Sequence, residues 1–316
     1  MIVCNALFFI SKIIFWQSRS FAGFLLERVL LAVVLSGISG VDTSIIYLSC
    51  GEEKSHRAFG VFEDLGAAGV LFSAAVYTVF IGESYRTAGF LTVISYGIAA
   101  LLSFGLKEVK LTQNVRKRSF EYYFKILKET VYDRRLLLLI VAVALFTEVN
   151  QTITIFFNQL QYTKAGMSVR LISAVYILVT LSGLLSVFSA PLTKKLKPKF
   201  FGGMLFALCG LSCFMLALTS DPFVSVFGVL LVGVCFRLMF PLGTQLMNEA
   251  ITTDDRATAL SMTTLIGDLI AVFTNLVFGK LADLNLSSAM SFGGFLCLIG
   301  MLLYLGSLVK KRDKTK

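Results

Sequence analysis

Long apolar runs divided by short polar breaks set the pattern of this chain. Runs free or nearly free of charge recur over 1–16, 25–49, 57–81, 87–106, 136–160, 171–193, 200–220, 223–247, 257–281 and 286–309. A bilayer core about 30 Å thick needs roughly 20 residues of helix at ~1.5 Å per residue, which is the scale of these runs. The breaks carry turn chemistry: Gly51-Glu52-Glu53, Gly82-Glu83-Ser84, Asp221-Pro222, Asp254-Asp255 and Asp283-Leu284-Asn285. The runs are continuous, whereas barrel strands alternate over about 10 residues. The pattern predicts an all-α membrane protein with ten transmembrane helices.

Charge placement orients those helices. With Met1 inside, the inner loops and tail hold twenty-one Lys and Arg residues and the outer side holds six, Arg19, Arg28, Arg86, Lys164, Arg170 and Lys280. Cytoplasmic loops carry such an excess, so both termini are expected on the cytoplasmic side, most simply of the plasma membrane. Organisation follows: 1–106 as a four-span bundle, 107–135 as a basic cytoplasmic linker, and 136–316 as a six-span bundle with a cytoplasmic tail. The aromatic-containing stretch Phe120–Lys128 of this basic linker can lie as a surface helix with its aromatics at headgroup level.

Composition agrees. Hydrophobic residues make up 56% and charged residues 15% of the chain, well short of the ~25% charge of soluble domains. The net charge of +10 is accounted for by the inner loops, so no nucleic-acid partner is expected. Cys4, Cys50, Cys209, Cys213, Cys235 and Cys297 include no C-x-x-C pair, and His56 is the one histidine, so neither a metal site nor a cofactor is expected. Cys209 and Cys213 share a helix face, where free cysteines pack as small hydrophobes. Met1 to Trp16 lacks a basic n-region and is interrupted by Lys12, unlike a cleaved signal peptide. No P-loop or catalytic motif stands in a usable context, which argues against an enzyme. Asn150-Gln151-Thr152 matches a glycosylation signal but lies inside a span.

Two loops repeat one another. Glu52-Glu53-Lys54-Ser55-His56-Arg57-Ala58 and Asp254-Asp255-Arg256-Ala257 each place an acidic pair before Arg-Ala at a helix start, with the arginines 199 residues apart. Parallel halves of this kind are one transporter architecture. Together with the two half-bundles and the basic central loop, the repeat resembles the major facilitator superfamily. Ser36-Gly37-Ile38-Ser39-Gly40-Val41-Asp42 resembles the fourth helix of its drug-efflux-like branch. Gly279-Lys280-Leu281-Ala282-Asp283 and Ser189-Ala190-Pro191-Leu192-Thr193-Lys194-Lys195-Leu196 resemble the turn before its last helix and its second-half basic loop. The resemblance implies a two-bundle fold of six plus six helices. Four spans precede the central loop here, so the ten match the family's third to twelfth helices, and the chain looks N-terminally truncated, lacking the first two.

Ionisable groups inside a membrane are functional candidates by default. Glu148 sits near the middle of 136–160, beside Thr147, Gln151, Thr154 and Asn158 at i, i+4, i+7 and i+11. Arg237 lies inside 223–247 and Asp268 near the middle of 257–281; Asp42 is a third carboxylate. A carboxylate paired with Arg237 would stay ionised, and an unpaired one would carry a proton; the sequence does not say which of Glu148 and Asp268 does which. Hydrogen-bonding glue between helices is the plainer alternative for Glu148, and a static ion pair for Arg237. Glu53, Arg57, Asp255 and Arg256 are expected to pin or gate the cytoplasmic loops. Two function classes follow. One is a secondary transporter moving a small molecule by alternating access, with proton-coupled export as the favoured subtype. The other is a non-transporting remnant, sensor or assembly partner. The lipid bilayer is the one further partner expected, and the oligomeric state is left open.

Overall fold

The structure, a computed structural model, describes residues 1–38, 45, 49, 61–62, 65–66, 68–77, 81, 84–106, 120–251 and 256–308. Among the described residues there are helices and turns and no strand. The chain folds as two compact units, Met1–Arg116 and Lys117–Lys316.

In the first unit, α1 (Ile2–Gln17) packs against α2 (Phe21–Ile38) and α3 (Tyr85–Ser103). The Phe8 and Tyr96 rings meet at 4.3 Å between centroids, and Trp16 and Phe90 at 5.1 Å. Ser84 starts α3 by accepting a hydrogen bond from the Thr87 amide. From the second residue of that helix, Arg86 donates to the carbonyls of Trp16 and Ser18, which the end of α1 leaves without helical partners. A charge pair lies between α1 and α2. Lys12 Nζ stands 3.0 Å from Glu27 Oε1, with Lys12 13% and Glu27 0% exposed. Arg28 Nε lies 3.2 Å from the other Glu27 oxygen, and the Lys12 ammonium sits 5.1 Å from the Phe8 ring and 5.8 Å from that of Tyr96.

The second unit holds α4 (Phe120–Tyr132), α5 (Arg134–Lys164), α6 (Val169–Leu196), α7 (Pro198–Leu218), α8 (Pro222–Ala250), α9 (Arg256–Leu284) and α10 (Leu286–Ser307). The polar breaks of the sequence become helix caps. Asp133 accepts from the amides of Arg135 and Leu136, Asp221 from Val224 ahead of Pro222, and Asn285 from Ser288. Between α6 and α7, Lys197 turns the chain at φ 63°, in the left-handed region.

The core of this unit lies where α5, α7 and α10 meet. The Phe206 ring is 4.6 Å from Phe146 and 5.6 Å from Tyr304, whose hydroxyl donates to the Pro198 carbonyl at 2.7 Å. Helices α7 and α10 come this close because position 202 is glycine: a Cβ there would stand 2.3 Å from the Tyr304 ring. Helix α4 has 13 residues, about 20 Å of helix, too short to cross a bilayer. It buries Ile126 with Leu136, Ile140, Ile251 and Ala259 at one end of α5 and α9.

Eight helices among the described residues are long and apolar enough to span a membrane: α2, α3 and α5 to α10. Helix α1, at 16 residues, is shorter, and ten of the 25 residues of the expected span 57–81 fall outside the described residues, so eight of the ten expected spans appear as membrane-length helices. Large apolar side chains such as Leu218, Phe223, Phe273 and Leu302 stand exposed on the helix surfaces, as lipid-facing positions do.

Candidate functional site

Helix α5 changes its winding at midspan. Thr152–Phe157 form a π-helical stretch inside it, a feature frequent at functional sites. Nearby side chains bond this backbone: Thr154 Oγ1 donates to the Asn150 carbonyl at 2.8 Å, and Asn158 Nδ2 to the Thr154 carbonyl at 2.7 Å. Asn158 Oδ1 accepts from the Gln159 amide. Beyond the π turn, Gln161 donates to the Thr219 carbonyl and to Ser225 Oγ, at 3.2 and 3.0 Å.

Glu148 sits one turn before the π stretch and is 7% exposed. Its Oε2 accepts from Asn275 Nδ2 on α9 at 2.9 Å, and Asn275 Oδ1 accepts from Thr152 Oγ1 at 3.3 Å. A hydrogen-bonded chain Thr152–Asn275–Glu148 therefore joins α5 to α9. Asp268 lies two turns before Asn275, close enough for its charge to repel that of Glu148. With Ser261 and Thr264 these two residues form a polar stripe at spacings of three, four and seven, exposed along α9. A run of apolar positions, Leu265, Leu269, Val272, Phe273 and Leu276, flanks it.

Helix α5 is flanked closely by α8 and α9. A Cβ at Gly243 on α8 would stand 3.2 Å from Val143, and one at Gly267 on α9 would stand 3.8 Å from Ala144. Gln151 is exposed on α5 and Thr147 half-buried. Arg237 is exposed on α8, with Gly183 of α6 opposite: a Cβ at that glycine would stand 3.7 Å from the guanidinium. Among the described residues neither Arg237 nor Asp268 has a hydrogen bond or an ion pair. Glu148 lies 14 residues from Arg134, Arg237 13 from Ala250, and Asp268 12 from Arg256. At ~1.5 Å per residue, all three stand about 18–21 Å from the same end of the bundle.

The structure thus brings Glu148 together with Asn275 and Thr152, sets Arg237 and Asp268 at the same depth, and separates members of the expected α5 stripe. Gln151 faces outward, while Thr154 and Asn158 are buried at 6% and 9% exposure. The π stretch is the physical reason, because its wider turn breaks the 3.6-residue period between Gln151 and Asn158. Asp42, Glu53, Arg57 and Asp255 lie outside the described residues, and Arg256 is placed by its backbone alone, as the first residue of α9. Sequence reasoning did not single out Asn275, Thr152, Lys12 or Glu27. The polar spacing in 257–281 carried a signal for Asn275, as the ionisable residues within apolar runs did for Lys12 and Glu27. The buried thiols of Cys209, Cys213 and Cys297 lie within 4.8 Å of one another where α7 meets α10, a geometry able to hold a soft metal ion.

Comparison with known proteins fixes the class. Residues 1–275 match the family model of the Major Facilitator Superfamily, and the chain belongs to that family. Among solved structures it is similar to the nucleoside transporter NupG, with a TM-score of 0.80 and 13% identity over 98% of this chain and 82% of that one. It is similar to a bacterial homolog of the human lysosomal transporter Spinster, with a TM-score of 0.61 and 16% identity over 97% of this chain and 80% of that one. It is also similar to the Escherichia coli fucose:proton symporter FucP, with a TM-score of 0.52 and 12% identity over 98% and 83%. No curated protein matches the chain in sequence. At these identities the likenesses show the fold, an all-helical transporter fold, and with the family they point to a transporter and not an enzyme.

Proposed function

We propose that this chain is a secondary transporter that moves a small polar solute across the membrane by alternating access, coupled to protons through Glu148. The observation that carries the reading is the Asn275–Glu148 hydrogen bond at midspan, with Thr152 behind it. A carboxyl group inside a membrane bundle is costly unless it is paired or functional. Here its described partner is a neutral amide, which can stay bonded to the carboxylate and rotate to accept from the carboxylic acid. Glu148 can therefore gain or lose a proton without losing its partner. The exposed polar groups beside it, Gln151 and Asp268, supply the surface a polar solute needs. Proton coupling is also the printed property of one structural neighbour, the fucose:proton symporter.

Direction is a matter of gradients, since one exchangeable carboxyl serves symport and antiport alike. The likeness of Ser36–Asp42 to drug-efflux-like members supports export. The inward bias of Lys and Arg supports both ends lying in the cytoplasm, and export suits a place in the plasma membrane.

The test uses the full chain in liposomes loaded with a pH-sensitive dye and challenged in turn with nucleosides, sugars and amino acids. At least one solute class should drive a change of internal pH. Glu148→Gln should abolish that change while solute exchange persists. An unaltered pH response in Glu148→Gln would reduce this residue to packing glue.

A further inference from the structure

We propose that the transported solute is a zwitterion, its anionic end held by Arg237 and its cationic end by Asp268. This rests on the reading of the polar face of the second unit as a transport surface, and it adds the chemical class of the cargo.

Arg237 on α8 and Asp268 on α9 are both exposed, and neither has a hydrogen bond or ion pair among the described residues. Two opposite charges at the same depth of a membrane bundle would be expected to pair with each other. They do not, because they stand on different neighbours of α5, which is packed against α8 at Gly243 and against α9 at Gly267. The outward surface of α5 at this level is Thr147 and Gln151, polar and uncharged. The unit therefore presents a cation, a hydrogen-bonding strip and an anion at one level.

A cargo must answer both charges. An uncharged solute would leave Arg237 and Asp268 unpaired, and a simple anion or cation would answer one of them. A molecule with a carboxylate or phosphate at one end and an ammonium at the other answers both. Arg237 supplies a planar fork of donors that suits carboxylate and phosphate. With Glu148 protonated, Arg237 and Asp268 balance, so any cargo without net charge keeps the face neutral, as passage through a low-dielectric region favours; of such cargoes a zwitterion is the kind that pairs both charges.

The probes are ω-amino acids of increasing length, glycine to 6-aminohexanoate, against carboxylates and amines of matched length and against uridine and fucose. Binding to the purified full chain in lipid nanodiscs is read by displacement and by shift of the unfolding temperature, with no ion gradient. One length of ω-amino acid should bind best, with the matched carboxylate and amine about tenfold or more weaker. Arg237→Gln should remove the preference over the matched amine, and Asp268→Asn the preference over the matched carboxylate. Arg237→Lys should retain part of the selectivity. The wild-type length series decides the matter even where a variant folds poorly. Equal or tighter binding of uridine, fucose or a singly charged probe overturns the proposal, and so does failure of every ω-amino acid to bind. Because no proton gradient is involved, this outcome is separate from that of the Glu148→Gln transport test.

Discussion

Asn275 donates its side-chain amide to Glu148 across 2.9 Å and 127 positions of sequence, and so ties α9 to α5 at midspan. The amide is oriented by its other end, where Thr152 donates to its oxygen. Glu148 thus has a described partner that carries no charge. Hydrogen bonds between membrane helices are worth about 0.6–2 kcal/mol, enough to hold a side chain in place without locking the helices together.

Asn275→Leu should therefore cost about 1 kcal/mol of stability and leave the Glu148 carboxyl without this partner. Asn275→Asp should do more harm, since it sets another carboxyl beside Glu148 and on the stripe of Asp268. Unfolding temperatures in nanodiscs order the three proteins; equal values for wild type and Asn275→Leu would count against the bridge.

The Lys12–Glu27 pair makes a different prediction. Removing one member of a buried pair leaves an uncompensated charge, at about 3–5 kcal/mol, while replacing both with apolar groups is often neutral. Glu27→Leu, which leaves Lys12 unpaired, should lower the yield of folded protein sharply; Lys12→Met, which leaves Glu27 with Arg28, should be milder, and the double variant should recover the loss of Glu27→Leu. A double variant no better than the worse single one would show that the pair does more than balance itself.

At the α7–α10 contact, Tyr304→Phe should cost about 1 kcal/mol through loss of the bond to the Pro198 carbonyl. Gly202→Ala should cost more, because its methyl would fall inside the Tyr304 ring. Combining Gly202→Ala with Tyr304→Leu should restore part of the loss. Thermal unfolding of the four proteins checks whether the two sites are coupled.

Lys197 holds a left-handed backbone that glycine adopts without strain. Lys197→Gly should stabilise the second unit by about 1 kcal/mol, read as a higher midpoint of denaturant unfolding. A drop in the midpoint would mean that the lysine side chain contributes more than its backbone costs.

Much of the architecture was legible in the chain. Ser84, Asp221 and Asn285 read as breaks between apolar runs, and each is a cap because short polar side chains satisfy the free amides of a helix start. Glu148, Arg237 and Asp268 announced themselves by their charge within apolar runs. The partner of Glu148 did not, since a neutral asparagine in an apolar run carries no sign of which distant helix it will face. The expected stripe on α5 divides for a local reason: a single 3.6-residue period does not hold along the whole helix. Thr147 and Gln151 lie before the change of winding, and Thr154 and Asn158 lie within or after it.

The π stretch of α5 has a consequence for phase. A wider turn accommodates an additional residue without looping it out, so the helix carries a small angular offset between its two halves. Deleting one residue within 152–157 would restore ordinary winding and leave everything beyond near its present azimuth, because the wide turn has already absorbed the surplus residue. Gln161 would keep its bonds to Thr219 and Ser225, and the outer half of α5 its anchorage to α7 and α8. The same deletion in the ordinary winding between Arg135 and Glu148 would instead turn everything beyond it by roughly 100°. The π stretch acts as slack in the helix, where α5 can lose a residue and keep its phase.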